Sequence, residues 1–154
     1  MKYTPLQIRE IVDVSQETLR HWRRVLLPLK ERNGYAPCFT AGDALALKIV
    51  KEIVETLQVR VQTLQPIAGE LFNICCGINW PRLERQYLVI RFADQSIEAC
   101  QGSAMLQDSE ADAMVVIALR PHIERLRNRL TESDGQYQYE MPFPPIGLKK
   151  TSSA

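Results

Sequence analysis

The sequence predicts an α+β chain: four helices with a short β wing between the second and third, followed by a small βββα unit. Three observations predict it. Residues 1–76 carry apolar side chains at helical spacing behind strong capping residues. Asn33-Gly34 lies between the second and third of these segments, where it reads as a tight hairpin. Beyond Gly77 the pattern changes to short β-branched runs and then one more helix. At 154 residues with 45% hydrophobic and 24% charged residues, the chain has enough apolar material for a core, which excludes wholesale disorder.

The first helix opens at Thr4, a good N-cap, with Pro5 at the first helical position and Gln7 placed to close a capping box. Leu6, Ile8, Ile11 and Val12 supply its buried side. Ser15 caps a second helix, with Glu17 at its positive end. Leu19, Trp22 and Leu26 form the apolar stripe of that helix, so Arg20, His21, Arg23 and Arg24 lie off it. Asp13 and Val14 alone separate the first helix from the Ser15 cap, which is the helix-turn-helix pattern. Pro28 ends the second helix, and the segment LKERNGYAPCF reads as two extended pieces around Asn33-Gly34. Thr40, with Asp43 at N3, caps a third helix running to about Gln58, with Leu45, Ile49, Val50, Ile53, Val54 and Leu57 inside. A fourth helix covers about Thr63 to Cys76, with Leu64, Ile67, Leu71, Phe72 and Cys75 as core positions.

Gly77 and the Asn-Trp-Pro at 79–81 break the helical pattern and mark an expected boundary between residues 1–76 and 77–134. The run QYLVIRFADQSIEAC reads as two strands around Ala93-Asp94-Gln95, SAMLQDSEAD as a polar loop, and AMVVIAL as a third strand. Pro121 starts a last helix with Ile123, Leu126 and Leu130 on one face. Residues 135–154 read as an extended, partly disordered tail.

Net charge is only +1, so any attraction to a polyanion must come from local clustering. Residues 1–76 hold ten Lys/Arg against eight Asp/Glu, and residues 77–154 nine against ten. The Ser15–Tyr35 stretch alone carries Arg20, Arg23, Arg24, Lys30 and Arg32 against Glu17 and Glu31. There is no export-signal pattern and no apolar run long enough to span a bilayer, so a cytoplasmic protein with four free thiols and no membrane partner is expected.

In order and spacing, the N-terminal half resembles the MerR family of winged helix-turn-helix transcription regulators. The residues that carry the resemblance are Tyr3-Thr4, then Val14-Ser15-Gln16-Glu17-Thr18-Leu19-Arg20-His21-Trp22, the wing Asn33-Gly34-Tyr35, and finally Phe39-Thr40 with Asp43. The match spans about residues 3–75. The resemblance implies double-stranded DNA binding, with the second helix in the major groove and the wing along the flanking backbone. By the same resemblance Arg20 holds phosphate, His21 faces DNA, and Asn33 and Tyr35 sit in the wing turn.

The residues themselves fit that role, because a major groove accepts a helix whose outward side carries charge and hydrogen-bonding groups. Arg20, Arg23, Arg24 and Arg32 are the expected phosphate ligands, and Gln16, Glu17 and His21 the expected base readers. Ser15, Thr18 and Lys30 complete the DNA-facing set. The chain departs from the family pattern in four ways. Asp13 replaces a glycine, VLLP replaces Gly-Leu-Leu, Ala36 replaces the wing arginine, and the long dimerisation helix is broken at Gly77–Pro81. The expected regulator is therefore a homodimer held through residues 77–134, with RNA polymerase or another regulator as a candidate further partner. Two rivals are a DNA-bending architectural or recombination factor of a mobile element, and a protein-interaction adaptor that has lost DNA binding.

Other residues read as structural. Cys75-Cys76 fit a small buried hydrophobe better than a metal or redox pair, since adjacent helical residues do not face one site. His122 reads as an exposed polar residue, and RLRNR at 125–129 as a solvated face. Trp22, Trp80, Tyr87 and Phe92 fit a core or dimer interface rather than an effector pocket. No nucleophile–histidine pair, phosphate loop or paired carboxylates occur at useful spacing, so neither catalysis nor a cofactor is expected.

Overall fold

The computed structural model describes residues 1–102 and 113–139, with side chains described through Glu132. Helix α1 spans Pro5–Val12. The Thr4 hydroxyl accepts from Gln7 N at 3.2 Å, and Thr4 N donates to the Gln7 side chain at 2.8 Å, closing the expected capping box. Helix α2, Gln16–Val25, starts at Ser15, whose Oγ accepts from Thr18 N at 3.0 Å. Between them Asp13 adopts the left-handed conformation, φ 61°, which a short polar side chain tolerates in place of glycine. A 3-10 turn, Leu27–Leu29, follows α2.

Helix α3, Ala41–Leu57, begins with a second capping box between Thr40 and Asp43. Its residues Gly42–Leu47, Ile49 and Val50 are all buried. Leu57, expected inside, is exposed because α3 ends there and the chain turns away at Gln58, φ 54°. Gly42 allows the closest approach: a Cβ there would lie 2.8 Å from Cys75 O and Cys76 Cα, so the start of α3 abuts the end of the next helix. That helix, α4, spans Gln65–Gly77 after a 3-10 turn at Val61–Leu64. Leu64, Ile67, Leu71, Phe72 and Cys75 are buried as expected. Asn79 then caps a single-turn helix, α5, Trp80–Leu83.

Strands β1 (Tyr87–Arg91), β2 (Ser96–Cys100) and β3 (Val115–Ala118) form an antiparallel sheet in the order β2-β1-β3. The register places Ile90 beside Ile97 and Val115, and Leu88 beside Ala99 and Ile117. Leu88, Ile90, Ile97 and Ile117 therefore share one face and join the main core, while Val89 on the opposite face of β1 is also buried. Helix α6 runs directly on from β3, Leu119–Tyr139. It begins two residues before Pro121, which sits harmlessly in its first turn. It also carries residues 135–139, where an extended tail is expected; no proline interrupts the chain between Pro121 and Pro142. The expected loop within 103–112 and the rest of the tail lie outside the described residues.

The buried cluster is continuous from Tyr3 to Leu126 and crosses Gly77 without a gap. Helix α3 packs on α1, α4 and α6, and α4 packs on β2. Among the described residues the architecture is α+β, with six α-helices and one three-stranded sheet. No described helix is long and apolar enough to cross a membrane.

Three further expectations fail. The segment at 30–38 is not a hairpin. Asn33 Nδ2 donates to Lys30 O at 2.7 Å and closes a local turn, and Gly34 takes φ 90°. Phe39 instead bridges to Tyr3, with Tyr3 N to Phe39 O at 2.7 Å and Phe39 N to Tyr3 O at 3.1 Å, so the ladder partner comes from the chain start. Leu6 is 53% exposed, because Ile8, Ile11 and Val12 alone point into the core. His122, expected outside, is buried on α6, with Nδ1 lacking a hydrogen-bond partner.

Burial holds the His122 imidazole below its ordinary range; the Glu52 charge opposes this, while Arg125 and Lys48 reinforce it. The unfolded chain then binds a proton that the folded chain rejects, so stability is full above the unfolded value near 6.5 and declines as pH falls below it. Urea unfolding between about pH 7 and 5 should show that decline, and His122→Leu should flatten it. Equal slopes for the two proteins would contradict the assignment.

Candidate nucleic-acid interface

Helix α2 buries Leu19 and Trp22 and turns its remaining surface outward. On one flank lies a cleft of about 570 Å3. Its walls are the start of α1 (Pro5, Leu6, Arg9), the outer face of α2 (Gln16, Arg20, Arg23, Arg24) and the loop Asn33–Tyr35. Four arginines line this cleft, and no Asp or Glu is among its described lining residues. Arg20 and Arg24 are exposed, while Arg23 is half-buried with its guanidinium 5.8 Å from the centroid of the Phe39 ring. That contact holds the Arg23 head near the loop. Arg9 Nε is buried without a hydrogen-bond partner. Tyr35 is 94% exposed, so its ring projects from the rim.

The opposite flank of α2 borders a shallower groove with Glu17, Thr18 and His21 on one side and Arg60, Val61 and Gln62 on the other. His21 Nε2 lies 3.5 Å from Gln62 Nε2. The exposed α2 surface thus has two edges, an arginine-rich one beside the loop and a mixed one beside the segment that leads into α4.

The expected DNA-facing residues divide accordingly. Gln16, Arg20, Arg23, Arg24, Asn33 and Tyr35 meet in the cleft. Glu17, Thr18 and His21 lie on the other flank. The Ser15 hydroxyl is occupied as the α2 cap and is 2.8 Å from Thr18 Oγ1. Lys30 is exposed outside both concavities, its carbonyl held by Asn33. Arg32 is turned inward. Its Nε lies 3.4 Å from Asp43 Oδ2 and its Nη2 3.5 Å from Asp43 Oδ1, an ion pair with long hydrogen-bond geometry. Arg32 therefore anchors the loop to α3. Arg9, Leu6 and Arg60 join the surface without having been expected there. The legible signal for Arg9 is its i+4 spacing from Pro5, on the side of α1 away from Ile8 and Ile11.

Asp43 organises the loop side. It is buried and its Oδ2 accepts from Thr40 N at 2.8 Å and Thr40 Oγ1 at 3.0 Å. Cys76 Sγ lies 3.7 Å from Oδ1 of the same carboxylate. Burial, then the Asp43 charge, pushes the Cys76 thiol up; burial pushes Cys75 up further. Both shifts disfavour the thiolate that metal binding and thiol exchange require. Among the described residues no three His, Cys, Asp or Glu side chains cluster as a metal site.

The RLRNR segment is not simply solvated. Arg127 pairs with Glu84, and Arg129 Nη1 donates to Glu10 O at 3.0 Å. At the α1–α2 turn, the Lys51 hydrogen bond and then its charge hold the exposed Asp13 carboxyl below the usual range.

No protein-family model matches the sequence, and no curated protein is similar to it.

Because Asp43 is the shared acceptor of the α3 cap and the Arg32 tether, Asp43→Ala should lower stability by about 2–4 kcal/mol. Chemical denaturation at neutral pH measures this, and a loss under about 0.5 kcal/mol would show the network to be dispensable.

Proposed function

We propose that this chain is a sequence-specific double-stranded DNA-binding regulator that lays α2 in the major groove. The observation that carries the reading is the cleft in which Arg9, Arg20, Arg23 and Arg24 converge, with no Asp or Glu among its described lining residues. A duplex presents a phosphate ridge on each side of the major groove, and guanidinium groups bind such oxygens in strong charge-assisted pairs. Gln16 and Glu17 stand exposed at the α2 N-terminus, the part of a recognition helix that reaches base edges. Gln16 offers the amide that can pair in bidentate fashion with adenine.

The local clustering explains how a chain of net charge +1 attracts a polyanion. Asn33–Tyr35 lies against the flanking backbone as an irregular loop rather than a hairpin wing, with Tyr35 projecting from it. The order of helix, left-handed turn, helix and loop supports a MerR-like reading. Two copies, joined through residues 77–134, bind an inverted repeat, since two-fold protein symmetry is matched by a palindromic site. Transcription changes through altered DNA geometry or obstruction of polymerase.

The test is a binding isotherm on duplexes enriched from a random library by the wild-type protein. Each lost phosphate contact lowers the slope of log affinity against log salt by roughly 0.9. The double variant Arg20→Ala with Arg24→Ala should lower it by roughly 1.8 and weaken binding about 10- to 100-fold. Unchanged affinity and slope would remove α2 from the interface.

A further inference from the structure

We propose that Arg129, on the last helix, is a positioning residue that sets the DNA-reading geometry of α1 and α2. The proposal rests on the DNA-binding reading above. A helix C-terminus leaves its final carbonyls without intrahelical donors. In α1 those carbonyls are claimed by side chains from two other helices. Arg129 Nη1 donates to Glu10 O at 3.0 Å and to Ile11 O at 3.3 Å. Lys48 Nζ lies 3.5 Å from Val12 O, and Lys51 Nζ donates to Asp13 O at 2.7 Å and to Asp13 Oδ2 at 3.1 Å. Four consecutive carbonyls thus face three cations, which also complement the negative end of the helix dipole.

The place of this brace gives it its consequence. The residue it ends on, Asp13, holds a left-handed backbone that surrounding contacts must maintain. That turn fixes the angle between α1 and α2. The cleft is walled by both helices, Arg9 and Leu6 on one and Gln16, Arg20 and Arg24 on the other. Releasing the turn lets the two walls separate and misaligns α2 against the groove. Lys48 and Lys51 come from α3, but Arg129 comes from α6, which continues directly from β3. Arg129 therefore joins the sheet unit to the end of α1, next to the turn, while lining no part of the cleft itself.

The test compares wild-type, Arg129→Ala and Arg129→Lys. Amide exchange on free protein is read at Asp13 and Val14, with Ile49 and Val50 on α3 as controls. Affinity and salt slope are read on the duplex enriched from a random library by wild-type protein. In Arg129→Ala, exchange at the turn rises about tenfold while α3 is unchanged, affinity falls about tenfold and the salt slope stays the same. Arg129→Lys restores part of both, because an ammonium still reaches a carbonyl. A slope reduced by roughly 0.9 would instead make Arg129 a direct phosphate ligand and overturn the proposal. So would a uniform rise in exchange, which marks a purely global stability role, or unaltered affinity. If wild-type protein enriches no duplex, the DNA reading falls, and the exchange data still decide whether the brace exists.

Discussion

Helix α3 is enclosed on almost every side through its first half, and α1, α4 and α6 are placed by how they reach it. An enclosed helix must satisfy its own N-terminus without water. Thr40 and Asp43 do this in part, and the buried Asp43 carboxylate then requires a cation, which Arg32 supplies. That requirement draws the 30–38 loop inward. At the same end, Gly42 lets the chain at Cys75 and Cys76 approach to a distance that no side chain would permit. Further along, Lys48 and Lys51 reach the end of α1. One helix thus fixes the loop, the end of α4 and the α1–α2 turn.

The surface chemistry follows from that arrangement. With Leu19 and Trp22 committed to the core, the arginines of α2 have nowhere to go but outward. The loop anchored by Arg32 and the start of α1 then wall them into a cleft. Arginines on an isolated solvated helix repel one another and bind anions weakly; held in a concave site beside low-dielectric walls they focus the field. Four other cations serve differently. Arg32, Lys48, Lys51 and Arg129 make internal contacts and position the site.

Much of this was legible in the sequence wherever the cause is local. The boxes at Thr4–Gln7 and Thr40–Asp43, the Ser15 cap and the Asp13 turn are short-range hydrogen-bond patterns, and each forms where the residues indicate. The three strands form where the short β-branched runs indicate. What escaped depends on distant partners. Asn33-Gly34 favours a hairpin only if extended flanks are free to pair, and Phe39 is taken by Tyr3. Arg32 and Arg24 look alike in sequence, yet a buried carboxylate eleven residues downstream claims one of them. Arg9 enters the site, and His122 enters the core, through packing between helices far apart in the chain. The arginine density of α2 was readable; the cleft in which those arginines converge was not.

Duplex DNA is proposed to bind along the α1–α2–loop face. Titrating isotope-labelled protein with an enriched duplex and following backbone and arginine side-chain NMR signals tests it most directly. Shifts are expected at Pro5–Arg9, Gln16–Arg24 and Asn33–Tyr35, with much smaller ones on β1 and β2. Shifts centred on the sheet, or no shifts at low salt, would contradict it.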